Sequence, residues 1–134
     1  MIVVDASVWV SRSIASDANY AASSNWVAQH MAAGGLFVAP TLVLSELAGA
    51  IVRRTGDATF TQRVIQSLLN LPNLRLVPLD RQLGQLSAYL AIRLRLRGAD
   101  AVYVATAQRL NLRHITWDNE QRTRTGGLIV ARTP

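Results

Sequence analysis

Five short apolar runs alternate with longer segments of helical periodicity, and few folds accept that alternation. The runs are MIVV (1–4), LFVA (36–39), LRLV (74–77), RHIT (113–116) and LIVA (128–131). Each is too short for a helix and suits a strand, MIVV a buried one and LRLV an alternating one. A helical stretch at residues 7–13 follows the first run. Asp17 then precedes a helix with Tyr20, Ser24, Val27 and Met31 in one stripe, closed by Gly34-Gly35. Pro40 begins a helix carrying Leu42, Val43, Leu47, Ala50 and Ile51. Asp57 precedes one with Phe60, Val64, Leu68 and Leu71 in phase, closed by Asn70 and Pro72. Asp80 precedes a long one with Leu83, Leu86, Leu90 and Leu94, which Gly98 stops. A helix at about 100–110 and a short one ending at Gly126-Gly127 complete the pattern. Strands separated by helices imply βαβ units: an α/β fold of three layers, α/β/α, around a mostly parallel sheet of four to five strands. No linker, repeat or low-complexity segment interrupts residues 1–134, so one domain is expected.

Composition closes off several chemistries. The chain has no cysteine, which removes disulfides, thiolate catalysis and thiolate-bound zinc, and fits a reducing cytoplasm. All 14 basic residues are arginine, and the net charge is +6. Without lysine there is no Walker A site and no Schiff base. An arginine-rich surface suits a polyanionic partner. No apolar run approaches the ~18 residues of a membrane span, so no membrane partner is expected. His30 and His114 lie far apart, outside any metal-ligand spacing, and read as packing or surface residues.

Only eight acids exist. Asp17, Asp57 and Asp80 stand where helix N-caps belong and need no chemistry. Asp5 directly follows the first strand, and Asp118 lies two residues beyond the apolar part of HIT. In a parallel sheet both fall on the carboxyl edge, where open α/β folds bind ligands, although each also stands where a cap would. Glu46 is in phase with Leu42, Val43 and Ala50, and Asp100 with Val104 and Ala107. Both carboxylates therefore sit on apolar stripes. A buried carboxylate is costly unless it is paired or coordinates a metal. A salt bridge to an arginine such as Arg53 is one solution. Convergence of all four acids at one end of the sheet is the other. Four carboxylates without nitrogen or sulfur ligands need protons or hard cations, and oxygen-only sites with open positions select Mg²⁺ or Mn²⁺. Such ions support phosphodiester hydrolysis.

In order and spacing, VVDASVWV, SELAGAI, RGADAVYVATAQRL and ITWDNEQ resemble the motifs of PIN-domain proteins, more narrowly the VapC-type toxins of toxin–antitoxin pairs. The match runs from Ile2 to about Arg122. It implies a PIN-like fold and places the family's catalytic acids on Asp5, Glu46, Asp100 and Asp118. Asp5, Asp100 and Asp118 would bind Mg²⁺ or Mn²⁺, with Glu46 sharing the ion or activating water. Ser7 and Thr116 match neighbouring hydroxyls that help orient water or an aspartate in relatives. Glu120 matches a further acid only loosely and receives no role. The resemblance further implies an endoribonuclease acting on RNA, a homodimer, and neutralisation by a cognate VapB-type antitoxin.

Arg122 and Arg124 follow Asp118 by one to two helical turns and are the candidates for touching an RNA backbone. Arg93 and Arg97 share a helical face that reads as solvated. Trp9 and Trp117 read as core or dimer packing, while Tyr20, Trp26 and Phe60 offer surface for a partner. Two other functions are compatible with the fold. One is a DNA or flap nuclease, against which the absence of insertions weighs. The other is a non-catalytic PIN-like module for RNA or protein, whose signature would be a lost acid. A haloacid-dehalogenase phosphatase needs a second aspartate at position 7, where this chain has serine, and a lysine.

Overall fold

The computed structural model describes residues 1–134, and its central strand is the first. The elements in chain order are β1 (Ile2–Val4), α1 (Ala6–Ser13), α2 (Tyr20–Ala32), β2 (Phe37–Pro40), α3 (Val43–Thr55), α4 (Ala58–Leu69) and β3 (Leu74–Val77). They continue as α5 (Arg81–Leu94), α6 (Gly98–Leu110), β4 (His114–Ile115), α7 (Asn119–Arg124) and β5 (Ala131–Arg132). All five strands are parallel, in the order β3-β2-β1-β4-β5. The chain steps outward from β1 to β3, then returns past β1 to β4. The order reverses between β1 and β4, which makes their carboxyl ends the crevice of an open parallel sheet. Val3 pairs with His114 and Val4 with Ile115, so Asp5 and Thr116 leave the sheet side by side.

Burial explains the sequence pattern. Val3, Val4, Val38, Trp9, Phe37, Leu47 and Ile51 form the main core, with the Trp9 ring edge-on to Phe37 at 5.3 Å. Leu83, Leu90, Leu96 and Val104 form a second cluster between α5 and α6. The α/β/α arrangement follows, with α1 touching α2 and α3, α3 touching α4, and α5 packed on α6.

Some local expectations are corrected. Asp57 and Asp80 cap α4 and α5, but Asn19, not Asp17, is the N-cap residue of α2. The buried face of α2 is Ser23 and Val27, because the Ser23 hydroxyl pairs with Ser11 at 2.6 Å; Tyr20 is exposed. Pro40 ends β2 instead of opening α3. Gly98 opens α6 instead of stopping α5. The stop is Arg95, held left-handed at φ 54°, because Leu96 must turn inward to reach the second core cluster. The last strand starts at Ala131, since Leu128 and Ile129 first pack beneath the turn after α7.

Candidate active site

A cleft of about 590 Å³ opens at the carboxyl ends of β1 and β4, and Asp5, Glu46, Asp100 and Asp118 all line it. Asp5 is the N-cap of α1. Its Oδ2 accepts the Ser7 amide at 2.9 Å, and its Oδ1 accepts Gln121 Nε2 at 3.1 Å. Asp118 repeats the device on α7. Its Oδ1 accepts the Gln121 amide at 2.8 Å, and its Oδ2 accepts Arg97 Nη2 at 2.9 Å. Capping and site chemistry are therefore not alternatives here: each aspartate divides its two oxygens between them. Asp100, buried in the first turn of α6, accepts Gln121 Nε2 at 3.1 Å on Oδ1 and Arg97 Nε at 2.8 Å on Oδ2. Glu46, in the first turn of α3, accepts the Tyr103 hydroxyl at 2.6 Å on Oε2.

Burial sets the electrostatics. It pushes the Glu46 carboxyl above its ordinary range, the charges of Asp5 and Asp100 push the same way, and Tyr103 offsets part of the shift. The Asp100 carboxyl is also raised by burial, against the pull of Arg97. Burial and the Glu46 charge raise the Tyr103 hydroxyl far above its usual value, so it stays a donor.

The four acids thus reach one cleft, but as linked pairs. No three of them close into a ligand cage. Gln121 joins Asp5 to Asp100, and the Arg97 guanidinium joins Asp100 to Asp118. Arg97 is solvated as expected, but it does not share a helical face with Arg93: after the break at Arg95 its guanidinium bonds Asp100 and Asp118. The salt bridge considered between Glu46 and Arg53 does not form. The donor set is hard oxygen throughout, burial disfavours the charges of Glu46 and Asp100, and a guanidinium already answers Asp100 and Asp118. That chemistry fits a hard divalent cation.

Ser7 and Thr116 hold the exit from β4. The Trp117 amide donates to Ser7 Oγ at 3.1 Å, and the Asp118 amide to Thr116 Oγ1 at 3.0 Å. Arg122 turns back to donate to the Thr116 and Trp117 carbonyls, at 3.2 and 2.8 Å. Arg124 bonds Glu120 and the Arg95 carbonyl. The arginines that line the cleft are Arg53, Arg54 and Arg97. Asp17, expected only to cap, also lines it: burial opposes its charge, but the Asn19 amide and Arg54, at 2.8 Å, hold its carboxyl below the usual range. Trp9 is core; Trp117 lines the cleft and donates its indole N–H to Ser23 at 2.8 Å.

Sequence reasoning missed Arg97, Tyr103, Gln121 and His114. His114 is fully buried and bonded to Gln121 at 2.6 Å, so it is part of this network and not a bystander. The available signals were alternation, which puts His114 on the same strand face as Thr116, and the three-residue step from Asp118 to Gln121.

Residues 2–126 match the family model of the PIN domain. Among solved structures, the chain resembles VapC20 of Mycobacterium tuberculosis, a sarcin-ricin-loop-cleaving toxin, with a TM-score of 0.80 at 18% identity over 98% of this chain and 99% of that one. It also resembles FitAcB of Neisseria gonorrhoeae, with a TM-score of 0.76 at 17% identity over 100% and 98%. A third is VapBC2 of Rickettsia felis, solved on a fragment of promoter DNA, with a TM-score of 0.70 at 15% identity over 99% and 98%. A sequence search of curated proteins finds no match.

Proposed function

The chain belongs to the PIN domain family, and from that premise we propose that it is a metal-dependent endoribonuclease, a toxin of the VapC type neutralised by a VapB-type antitoxin. The observation that carries the proposal is the placement of four acids around one cleft at the sheet's switch point. A non-catalytic module is disfavoured because none of the four is lost.

Asp5, Asp100 and Asp118 would hold Mg²⁺ or Mn²⁺, with Glu46 beside them. When bound, the ion supplies Lewis acidity toward the phosphodiester and makes water more acidic. The chain's own residues do the rest. Tyr103 fixes Glu46 through Oε2, which leaves Oε1 to take a proton from the attacking water. The new P–O bond forms as the bond to the 3′ oxygen breaks, and that oxygen leaves as an alkoxide that takes a proton from solvent water. Ser7 and Thr116 keep Asp118 in register with Asp5. Arg53, Arg54 and Arg97 offer guanidinium forks to the RNA phosphates, and Arg122 and Arg124 stand on α7 beside the cleft. Arg97 is 70% exposed on its side chain, which suits a residue that exchanges a carboxylate for a phosphate.

A homodimer is part of the proposal, supported by the exposed Tyr89 and Ile92 on α5. No helix is long and apolar enough to cross a membrane, in keeping with a cytoplasmic toxin. The test is cleavage of a mixed RNA pool by antitoxin-free protein with Mg²⁺, Mn²⁺ or EDTA, with Asp100→Asn in parallel. Metal-dependent cuts that vanish in the variant support the proposal. Cuts that persist in the variant, or that ignore EDTA, refute it.

A further inference from the structure

The hydrogen-bond directions around Gln121 are forced. Its Nε2 lies 3.1 Å from Asp5 Oδ1 and 3.1 Å from Asp100 Oδ1. Both N–H bonds of the amide point at these carboxylate oxygens. Its Oε1 therefore faces His114 Nε2 at 2.6 Å and must accept. His114 is thus fixed as the Nε2–H tautomer, and its Nδ1 is left buried without a partner. Turning the amide over would set its oxygen against two carboxylates.

Three buried groups, His114, Gln121 and Asp5, are each at or below 5% exposure, and Asp100 is at 7%. Water has little access to replace any bond in this chain. The orphaned Nδ1 carries a desolvation penalty that an apolar side chain of similar volume would avoid. The one side-chain bond the imidazole makes is to Gln121; the Val3 backbone also faces the ring, but not in bonding geometry with Nδ1. Burial also lowers the His114 pKa, which keeps the ring neutral and the tautomer single at pH 7.

We infer that His114 and Gln121 form a positioning relay that sets the spacing and orientation of the Asp5 and Asp100 carboxylates, a role that none of the sequence motifs assigns. Gln121 holds the two Oδ1 atoms within about 6 Å of one another, as two bonds of ordinary length to one nitrogen require. His114 stops the amide from rotating. The inference rests on reading Asp5 and Asp100 as cation ligands; outer partners of this kind orient ligands and tune the bound ion.

The test is calorimetric titration with Mn²⁺ of the full chain as wild type, Gln121→Leu, His114→Leu and His114→Gln, with thermal melts of each. His114→Leu cannot donate to Gln121 and should weaken Mn²⁺ binding by roughly 10–100-fold, as should Gln121→Leu. His114→Gln restores a donor and should recover most of the loss. A folded His114→Leu with wild-type affinity would overturn the relay. Wild-type protein that binds no Mn²⁺ would overturn the metal reading as well. Nitrogen-15 spectra of the metal-free wild type need no variant to fold: a neutral Nε2–H imidazole with a slowly exchanging proton is expected for His114, and an Nδ1–H tautomer would sink the relay whatever the metal result.

Discussion

Replacing Arg97 with glutamine separates the two roles of the guanidinium. Arg97 bonds Asp100 at 2.8 Å and Asp118 at 2.9 Å, and its side chain is 70% exposed. A charge pair near 4 Å is worth about 4 kcal/mol at an effective dielectric constant of 20 and about 1 kcal/mol in water. With the guanidinium mostly in solvent, the lower figure is nearer, and the clamp contributes about 1–2 kcal/mol in total. Arg97→Gln should therefore lower the Tm of metal-free protein by roughly 3–8 °C. If a cation takes over the carboxylates, the clamp is already lost in the metal-bound wild type. The same 1–2 kcal/mol then reappears as Mn²⁺ affinity, tighter in the variant by roughly 5–30-fold. Calorimetric titration measures the affinity, and melts with and without saturating Mn²⁺ measure the stability. Equal or weaker Mn²⁺ binding by Arg97→Gln, or a Tm deficit that persists at saturation, would refute the competition between guanidinium and cation.

Asp5→Asn and Asp100→Asn should both fold, by circular dichroism, and cut no RNA in a gel assay. Asp100→Asn should gain less metal-free stability than Glu46→Gln, because Arg97 loses a partner. Glu46→Gln keeps an acceptor for Tyr103 and removes a half-buried charge. It should stabilise metal-free protein at pH 7.5 in urea unfolding, by an amount that solvent screening keeps small. Because the folded pKa of Glu46 is raised, its ionised form opposes folding above that value, and the penalty fades as pH falls toward the ordinary 4.5. The advantage of the variant should shrink over the same window, and an advantage independent of pH would contradict the assignment. Arg53→Gln should raise KM for RNA, leave kcat little changed, and flatten the salt dependence of binding by about one unit of slope. Trp9→Ala empties a fully packed site beneath α1 and should cost about 3–5 kcal/mol in urea unfolding.

The acids were legible in the sequence because each obeys a local rule. Asp5 and Asp118 end strands of one parallel sheet, and Glu46 and Asp100 interrupt apolar stripes of helical phase. What local rules could not decide was whether a strand-end aspartate caps a helix or serves a site, since two oxygens allow both. The strands were legible as apolar runs, and the boundary errors at Pro40, Gly98 and Leu128 share one cause. Each residue was read as punctuation or as strand by its own propensity, while tertiary burial of a neighbour set the real boundary, as Leu96 does for α5.

The partners of the acids were illegible for a different reason. Arg97 has a different role on either side of a single backbone decision. Had α5 run on to Gly98, Arg97 would have continued the face of Arg93 into solvent. With Arg95 left-handed, the chain turns before it reaches α6, and the guanidinium falls across Asp100 and Asp118. Gln121 and His114 depend likewise on the β1–β4 register. That pairing sets Val3 against His114, brings Asp5 out beside Thr116, and lets one amide on α7 reach both Asp5 and Asp100. A slip of one residue in β4 would turn the His114 side chain to the opposite face of the sheet. The charges at this site can therefore be counted from the chain, but their order along the hydrogen-bond network follows only from the register and from one left-handed arginine.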